Sequence, residues 1–414
     1  MEIPDRSKKL LMIIGIILVV ITFGYLLYIL LFAPAIPTPT QTSDSSLKQE
    51  SGKQGYLPSA QEKNITINKE GKIQTKIAKQ FLPKASPVAQ GGLTQTKVLN
   101  KEATFKPTIS KDGKSIQFYN KDDGKFYRLT AQGEIVPLSD KIFYNVQNVT
   151  WSPAKNKAII EYPDGANILY DFETQKQISL PKHWEDFDFS PNGNQIVLKN
   201  MGLDPDNRWL AIANEDGSKA KPIEPLGIYS DKVYTSWSPN NQIIAMKTEG
   251  IDFNRQRVYF IGLNGENFKS TIIEGRDFRS KWSPKGDKLL YSVYSSDNNM
   301  KPSLWIVNAQ GDQIGSGRKN LKIETWADKC TFANDYELYC AVPENLPEGA
   351  GLFPELSKGV KDKLYKINIQ TGTKKLVAIP DGNFTMSNLM VSEDEQYLYF
   401  TDGNTQRLLS IKLK

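Results

Sequence analysis

A turn motif that returns seven times, a β-rich run of four to six residues after each return, and a Gly-bearing turn after a further strand in most units predict an all-β fold. The fold expected is a seven-bladed β-propeller of four-stranded blades. An apolar, charge-free run near the N-terminus predicts one transmembrane α-helix ahead of it, followed by a disordered tether. The 414 residues are thus read as a cytoplasmic N-terminus over 1–9, a transmembrane helix over 10–32, a flexible Pro/Ser/Thr/Lys-rich linker over 33–95 and the propeller over 96–414.

The helix is the first element to justify. Leu10 to Phe32 contain no charged residue, and at 1.5 Å per residue such a helix spans roughly 35 Å, enough for a bilayer core. A cleaved signal peptide has a shorter apolar stretch, and Pro34 spoils the Ala33-Pro34-Ala35 match to a cleavage site. Arg6, Lys8 and Lys9 precede the run, whereas the next basic residue after it is Lys48. The positive-inside rule then keeps the N-terminus cytoplasmic and places the rest of this single-pass protein outside the cytoplasm, at the cell membrane. Pro34, Pro37 and Pro39 open a stretch too polar to offset the entropy of folding. As a flexible chain of about sixty residues it reaches roughly 40 Å. The patch Ile73 to Leu82 is read as part of the tether, a short helix or docking segment being the less favoured alternative there.

Composition excludes several classes. With 39% apolar, 10% aromatic and 24% charged residues, the chain is neither wholly disordered nor collagen-like. Two cysteines exclude a disulfide-dense scaffold, and the single histidine, His183, excludes a His-rich metal centre. No cofactor is called for. Of the net charge of +6, only about +1 belongs to residues 96–414, so the large domain lacks the basic footprint of a nucleic-acid binder. Excess lysine in the tether is solvated, or meets anionic lipid or wall polymer.

The repeats come next. The turn appears as Ile109-Ser110-Lys111-Asp112-Gly113, Trp151-Ser152-Pro153, Phe189-Ser190-Pro191-Asn192-Gly193, Trp237-Ser238-Pro239-Asn240 and Trp282-Ser283-Pro284-Lys285-Gly286. Degenerate copies follow around Cys330-Thr331-Phe332-Ala333-Asn334-Asp335, with Thr331 as marker, and at Val391-Ser392-Glu393-Asp394. The markers lie 38 to 61 residues apart, one blade each. The last unit runs out of chain before its fourth strand, and the segment around Thr96 to Glu102 is free to supply it, closing the ring without an exposed edge.

The Trp-Ser-Pro-x-Gly turn, followed by an apolar strand, an aromatic strand and Asn/Asp-x-x-Gly, resembles the TolB-type, WD-repeat-like β-propeller family of bacterial envelopes. The resemblance covers about 320 of the 414 residues. It implies a fold and an envelope location, and no particular partner. Ala154, Asn192, Asn240 and Lys285 stand where that turn would carry Asp, and the sixth and seventh units are degenerate.

Trp151, Trp237 and Trp282 are expected to wedge between blades. Cys330 and Cys340 flank a hairpin and are expected to pair as a disulfide outside the cytoplasm. Asp204-Pro205-Asp206-Asn207 lacks the glycine and distal glutamate of a calcium loop and reads as a turn. With no Gly-x-Ser-x-Gly elbow, His183 has no triad to join. Connections between second and third strands lengthen toward Pro343 to Lys363, whose Pro343, Leu352, Phe353 and Leu356 are too apolar for a solvated spacer. That insertion is expected to cap the channel or meet a partner. The function expected is a non-enzymatic, membrane-anchored scaffold or binding module for a protein, peptide or cell-wall glycan. The alternative is an envelope hydrolase or lyase in which two carboxylates of raised pKa converge in the channel.

Overall fold

The computed structural model describes residues 84–414 apart from Asn267, together with Leu18, Thr22 and the backbone of Ile65–Ile67 and Ile73–Thr75. The expected membrane helix over 10–32 therefore lies, but for two residues, outside the described residues. Among those described, no helix is long and apolar enough to cross a membrane. The chain divides into a unit over 1–79 and a unit over 80–414.

In the first unit, Ile65–Ile67 and Ile73–Thr75 form an antiparallel pair with Thr66 opposite Gln74. This differs from the structureless tether expected there. The β-branched Ile65, Thr66, Ile67, Ile73 and Thr75 favour extended strands.

The second unit holds seven sheets, each with four antiparallel strands and one with a fifth, parallel strand besides, in agreement with the predicted seven-bladed fold. Their first strands are Thr104–Ile109, Asn148–Trp151, Trp184–Phe189, Val233–Thr235, Arg276–Trp282, Cys330–Phe332 and Met386–Val391. First strands of blades 1 to 4, and of blades 6, 7 and 1, touch in succession, which places them innermost around the channel. Each second strand is almost wholly buried, as in Ile116–Asn120 and Ile243–Asp252 as far as Met246. Apolar clusters form between neighbouring blades: Ile244, Ala245 and Trp237 of blade 4 pack on Val197, Leu210 and Ile212 of blade 3, while Met246, Val258 and Phe260 pack on Leu289 and Tyr291 of blade 5.

The recurring serine has a physical cause. Ser152, Ser190, Ser238, Ser283 and Ser392 are buried, and each Oγ accepts a hydrogen bond from the N–H five residues on, closing the turn into the second strand. In blade 1, Asp112 accepts from Ser115 N at 2.8 Å instead. In blade 6 the turn centres on Ala333, whose N–H bonds Glu337 O, and Asn334 Oδ1 accepts from Glu337 N at 3.0 Å. This corrects the sixth marker from Thr331 to Ala333: an asparagine carbonyl replaces the serine hydroxyl one residue later.

Closure occurs as expected, with Thr96–Asn100 as the fourth strand of blade 7 against Leu408–Lys412. The linker boundary, however, moves. Residues 84–95 are placed on the propeller, where Leu93–Thr94 pairs in parallel with Ile379–Pro380 as a fifth strand of blade 6. Gly91 N and Ala89 N donate to Val377 O and Lys412 O, so backbone bonds rather than apolar side chains seat this stretch.

Candidate functional site

Strand order fixes two faces. Turns between first and second strands emerge on one; the connections between second and third strands, and those between blades, emerge on the other, loop-rich face. On that face the loops interlock. The tip of the blade 4 hairpin meets the blade 5 loop where Ser296 N donates to Asn254 Oδ1 at 2.9 Å. The blade 6 insertion joins through Gly349 N to Asn299 O at 2.9 Å and Gly351 N to Met300 O at 2.7 Å. A Cβ on Gly351 would sit 2.5 Å from Tyr294 Cβ, so only glycine permits this approach.

The insertion is half structural. Leu346 and Ala350 are buried with Trp326, and Glu344 pairs with Lys361 at 2.9 Å and Lys363 at 3.0 Å. Pro343 is buried in the ladder opposite Asp362 and is not a contact residue. Leu352, Phe353 and Leu356 stay exposed, Phe353 by 51%. They are not isolated on this face. Ile142 and Tyr144 in the connection from blade 1, Leu203 in the blade 3 loop, Ile228 and Tyr229 in the connection from blade 3, and Ile251 and Phe253 on the blade 4 hairpin are exposed there too. Among the large exposed apolar groups of the described residues, the opposite turns carry Tyr336, with Tyr397 and Ile135 at the strand starts that follow such turns.

The channel wall is polar. Asp188 and Lys281, one residue before the Trp/Phe position of blades 3 and 5, both reach the next blade: Asp188 Oδ2 accepts from Trp237 N at 2.7 Å and Lys281 Nζ donates to Cys330 O at 2.6 Å. Burial pushes the Asp188 carboxyl up to about 6, opposed by backbone N–H donors and the charge of Lys155. Burial likewise lowers Lys281 and Lys155. At the loop-rich mouth, burial raises Glu161, with the nearby Asp186 charge adding to it, while Asn148 Nδ2 donates to it at 2.5 Å. Lys199 holds Asp186 at 2.5 Å. Lys106, Asp186, Asp277 and Asn388 occupy the same inner-strand bulge at φ of 47 to 55°, a conformation that residue type does not announce. Sequence reasoning therefore missed this cluster.

Asp188 gives a pH test. Its folded pKa lies above its unfolded value of 3.8. The stability that its proton contributes is therefore complete below about pH 4 and is lost as pH rises through about 6, by roughly 3 kcal/mol at most. Asp188→Asn imitates the protonated form. The difference in unfolding free energy between wild type and variant is expected to change across pH 4–7 and then level off; a difference flat from pH 4 to 8 contradicts the assignment.

Trp151, Trp237 and Trp282 lie between blades, and two indoles bond backward: Trp151 Nε1 to Lys106 O at 2.8 Å and Trp282 Nε1 to Ser236 Oγ at 2.9 Å. His183 is exposed. Asp204 caps a single turn over Pro205–Asn207 by accepting from Asp206 N. No cluster of three metal-ligating side chains occurs among the described residues. Cys330 and Cys340 sit opposite each other in the ladder and are joined by a disulfide, both fully buried. Replacing both with alanine is expected to cost about 3 kcal/mol through loop-closure entropy. Urea unfolding of the variant against oxidised wild type measures it; equal midpoints contradict a stapling role.

No protein-family model matches this chain, and no curated protein matches it. Solved structures do match in fold. An oligogalacturonate lyase in complex with manganese aligns at TM-score 0.51 and 11% identity over 77% of this chain and 93% of its own. The tricorn protease aligns at 0.50 and 12% over 83% of this chain, which spans 36% of that protein. The Cps50 (Swd1) β-propeller domain of Myceliophteria thermophila aligns at 0.49 and 12%, over 77% of this chain and all of its own. At such identity the two matches at 0.50 and above show the fold alone. The chain is a seven-bladed β-propeller of four-stranded blades.

Proposed function

We propose that this propeller is a non-enzymatic binding module that engages its partner through the loop-rich face. The observation that carries this is the gathering of exposed large apolar side chains on that face, on loops that brace one another. Interlocked loops present Phe253 and Phe353 with little conformational entropy left to lose on binding. We further propose a TolB-like envelope protein, anchored by residues 10–32 with the propeller outside the cytoplasm. The apolar run and its flanking charges support the anchor, and the buried disulfide is of a kind that persists in oxidising compartments.

The test is cross-linking in native membranes followed by mass spectrometry, comparing wild type with a variant whose residues 344–361 are replaced by a short Gly-Ser turn, both checked for folding. A protein partner lost from the variant alone supports the reading. A partner retained without the insertion contradicts it.

A second reading, an envelope hydrolase or lyase, is favoured by Glu161, raised beside Asp186 at the channel mouth. Against it stands the occupation of both carboxylates, one by Asn148 and the other by Lys199. Turnover of a glycan substrate that is abolished by Glu161→Gln would establish it.

A further inference from the structure

Two cavities meet around blade 4, toward its loop-rich end, at Tyr234 and Asp277. The larger, of about 960 Å³, runs along the long hairpin formed by Ile243–Asp252 and Arg255–Gly262, from Tyr229 and Tyr234 at the loop-rich end to Gly265 and Glu266 in the turn at the other end. This is at the upper end of the roughly 300–1,000 Å³ of small-molecule sites. The smaller, of about 390 Å³, shares Tyr234 and Asp277 with it and continues along the inner strands of blades 4 and 5. Together they make an elongated depression from the channel wall toward the rim.

We propose that this depression binds a neutral oligosaccharide, an inference that rests on the loop-rich face being the binding face. Tyr229 and Tyr234 project into it, 56% and 42% exposed. Both are held in place: Tyr229 follows Leu226, which is buried and accepts from Tyr229 N at 3.0 Å, with Lys247 Nζ 5.8 Å from its ring centroid, and Tyr234 lies opposite Met246 in the ladder. A third ring, Tyr259, is paired with Lys247 and donates to Glu249 Oε2 at 2.6 Å. Exposed rings with an apolar plane and a polar tip suit the C–H face of a pyranose, whose hydroxyls project sideways.

The charges decide the ligand class. Lys232, Lys247 and Arg276 line the same cavity as Glu224, Glu249, Glu266 and Asp277. Such near-balance offers no net attraction to a polyanion or a polycation, while hydroxyls can donate to the carboxylates and accept from the cationic groups at once. A hydrophobic ligand would strip water from those charges and give nothing in return. A peptide anchored by apolar side chains is matched better by the exposed ridge at Leu352, Phe353 and Leu356, which lies outside this cavity.

Titration calorimetry of the whole protein against cellotetraose, chitotetraose and mannotetraose tests the proposal, with tetragalacturonate and a Gly-Ser-Tyr peptide as comparators. At least one neutral tetrasaccharide is expected to bind. Tyr229→Ala and Tyr234→Ala are each expected to weaken it tenfold or more, with Tyr229→Trp retaining it and Tyr336→Ser, on the opposite turns, leaving it unchanged. No binding of any neutral sugar at millimolar concentration, equal affinity in the alanine variants, or preference for the acidic sugar or the peptide overturns the proposal. Protein partners lost on replacing residues 344–361 despite absent sugar binding would sink the oligosaccharide and leave the binding face standing; sugar binding that survives both tyrosine truncations would place the site elsewhere.

Discussion

A protein truncated to begin after residue 100 is expected to melt more than about 10 °C lower than wild type, or not to fold, whereas one beginning at residue 84 melts within about 2 °C of it. The difference lies in one short segment that bridges two blades. Thr96–Asn100 covers the edge of Leu408–Lys412, where Leu408, Leu409 and Ile411 are buried. Just before it, Leu93–Thr94 extends blade 6, and Thr96 donates from both its backbone N and its Oγ1 to Asp381 Oδ1, at 3.0 and 2.6 Å. Removing the segment leaves blade 7 with three strands and blade 6 without its fifth, and exposes an edge that invites aggregation. Thermal melting of the two truncations checks this. If the shorter protein melts with the longer, the ring does not depend on its seam.

The second large effect is at Asp362. Its side chain is fully buried, with Lys329 Nζ at 2.6 Å and Met386 N donating to it at 2.6 Å, so it ties the connection between blades 5 and 6 to blade 7. Burial raises its pKa, against the pull of Lys329. Asp362→Ala leaves a nearly buried ammonium and an unmade backbone hydrogen bond, and is expected to cost about 3–5 kcal/mol. Paired replacement Asp362→Leu with Lys329→Met is expected to cost less than the alanine variant, because no charge is stranded. Urea unfolding of wild type and both variants gives the comparison. A double variant less stable than Asp362→Ala would show that the ion pair itself stabilises the joint.

These joints explain what the chain reveals before it is folded. The blades were legible because one hydroxyl closes each turn, so Ser recurs with Pro and Gly beside it; where Asp112 and Asn334 take over that bond, the repeat blurs, and the sixth marker was placed two residues early. The disulfide partners were legible as a cross-strand pair. The fifth strand of blade 6 was not, since Gly91, Gly92 and Thr94 are seated by backbone bonds that leave no apolar pattern. The channel cluster was equally silent: Lys106, Glu161 and Asp186 come from three blades, and their meeting depends on inner-strand bulges. The tyrosines around blade 4 come from a connection, a first strand and a third strand, and only topology gathers them.

The loop-rich face as working surface is tested most directly by photo-crosslinking in living cells. A photoactivatable residue is placed at Phe353, 51% exposed on the loop-rich face, and in a second protein at Tyr336, 43% exposed on the opposite turns. The account predicts a discrete adduct from position 353 and none from 336. An adduct from 336 with none from 353 would contradict it.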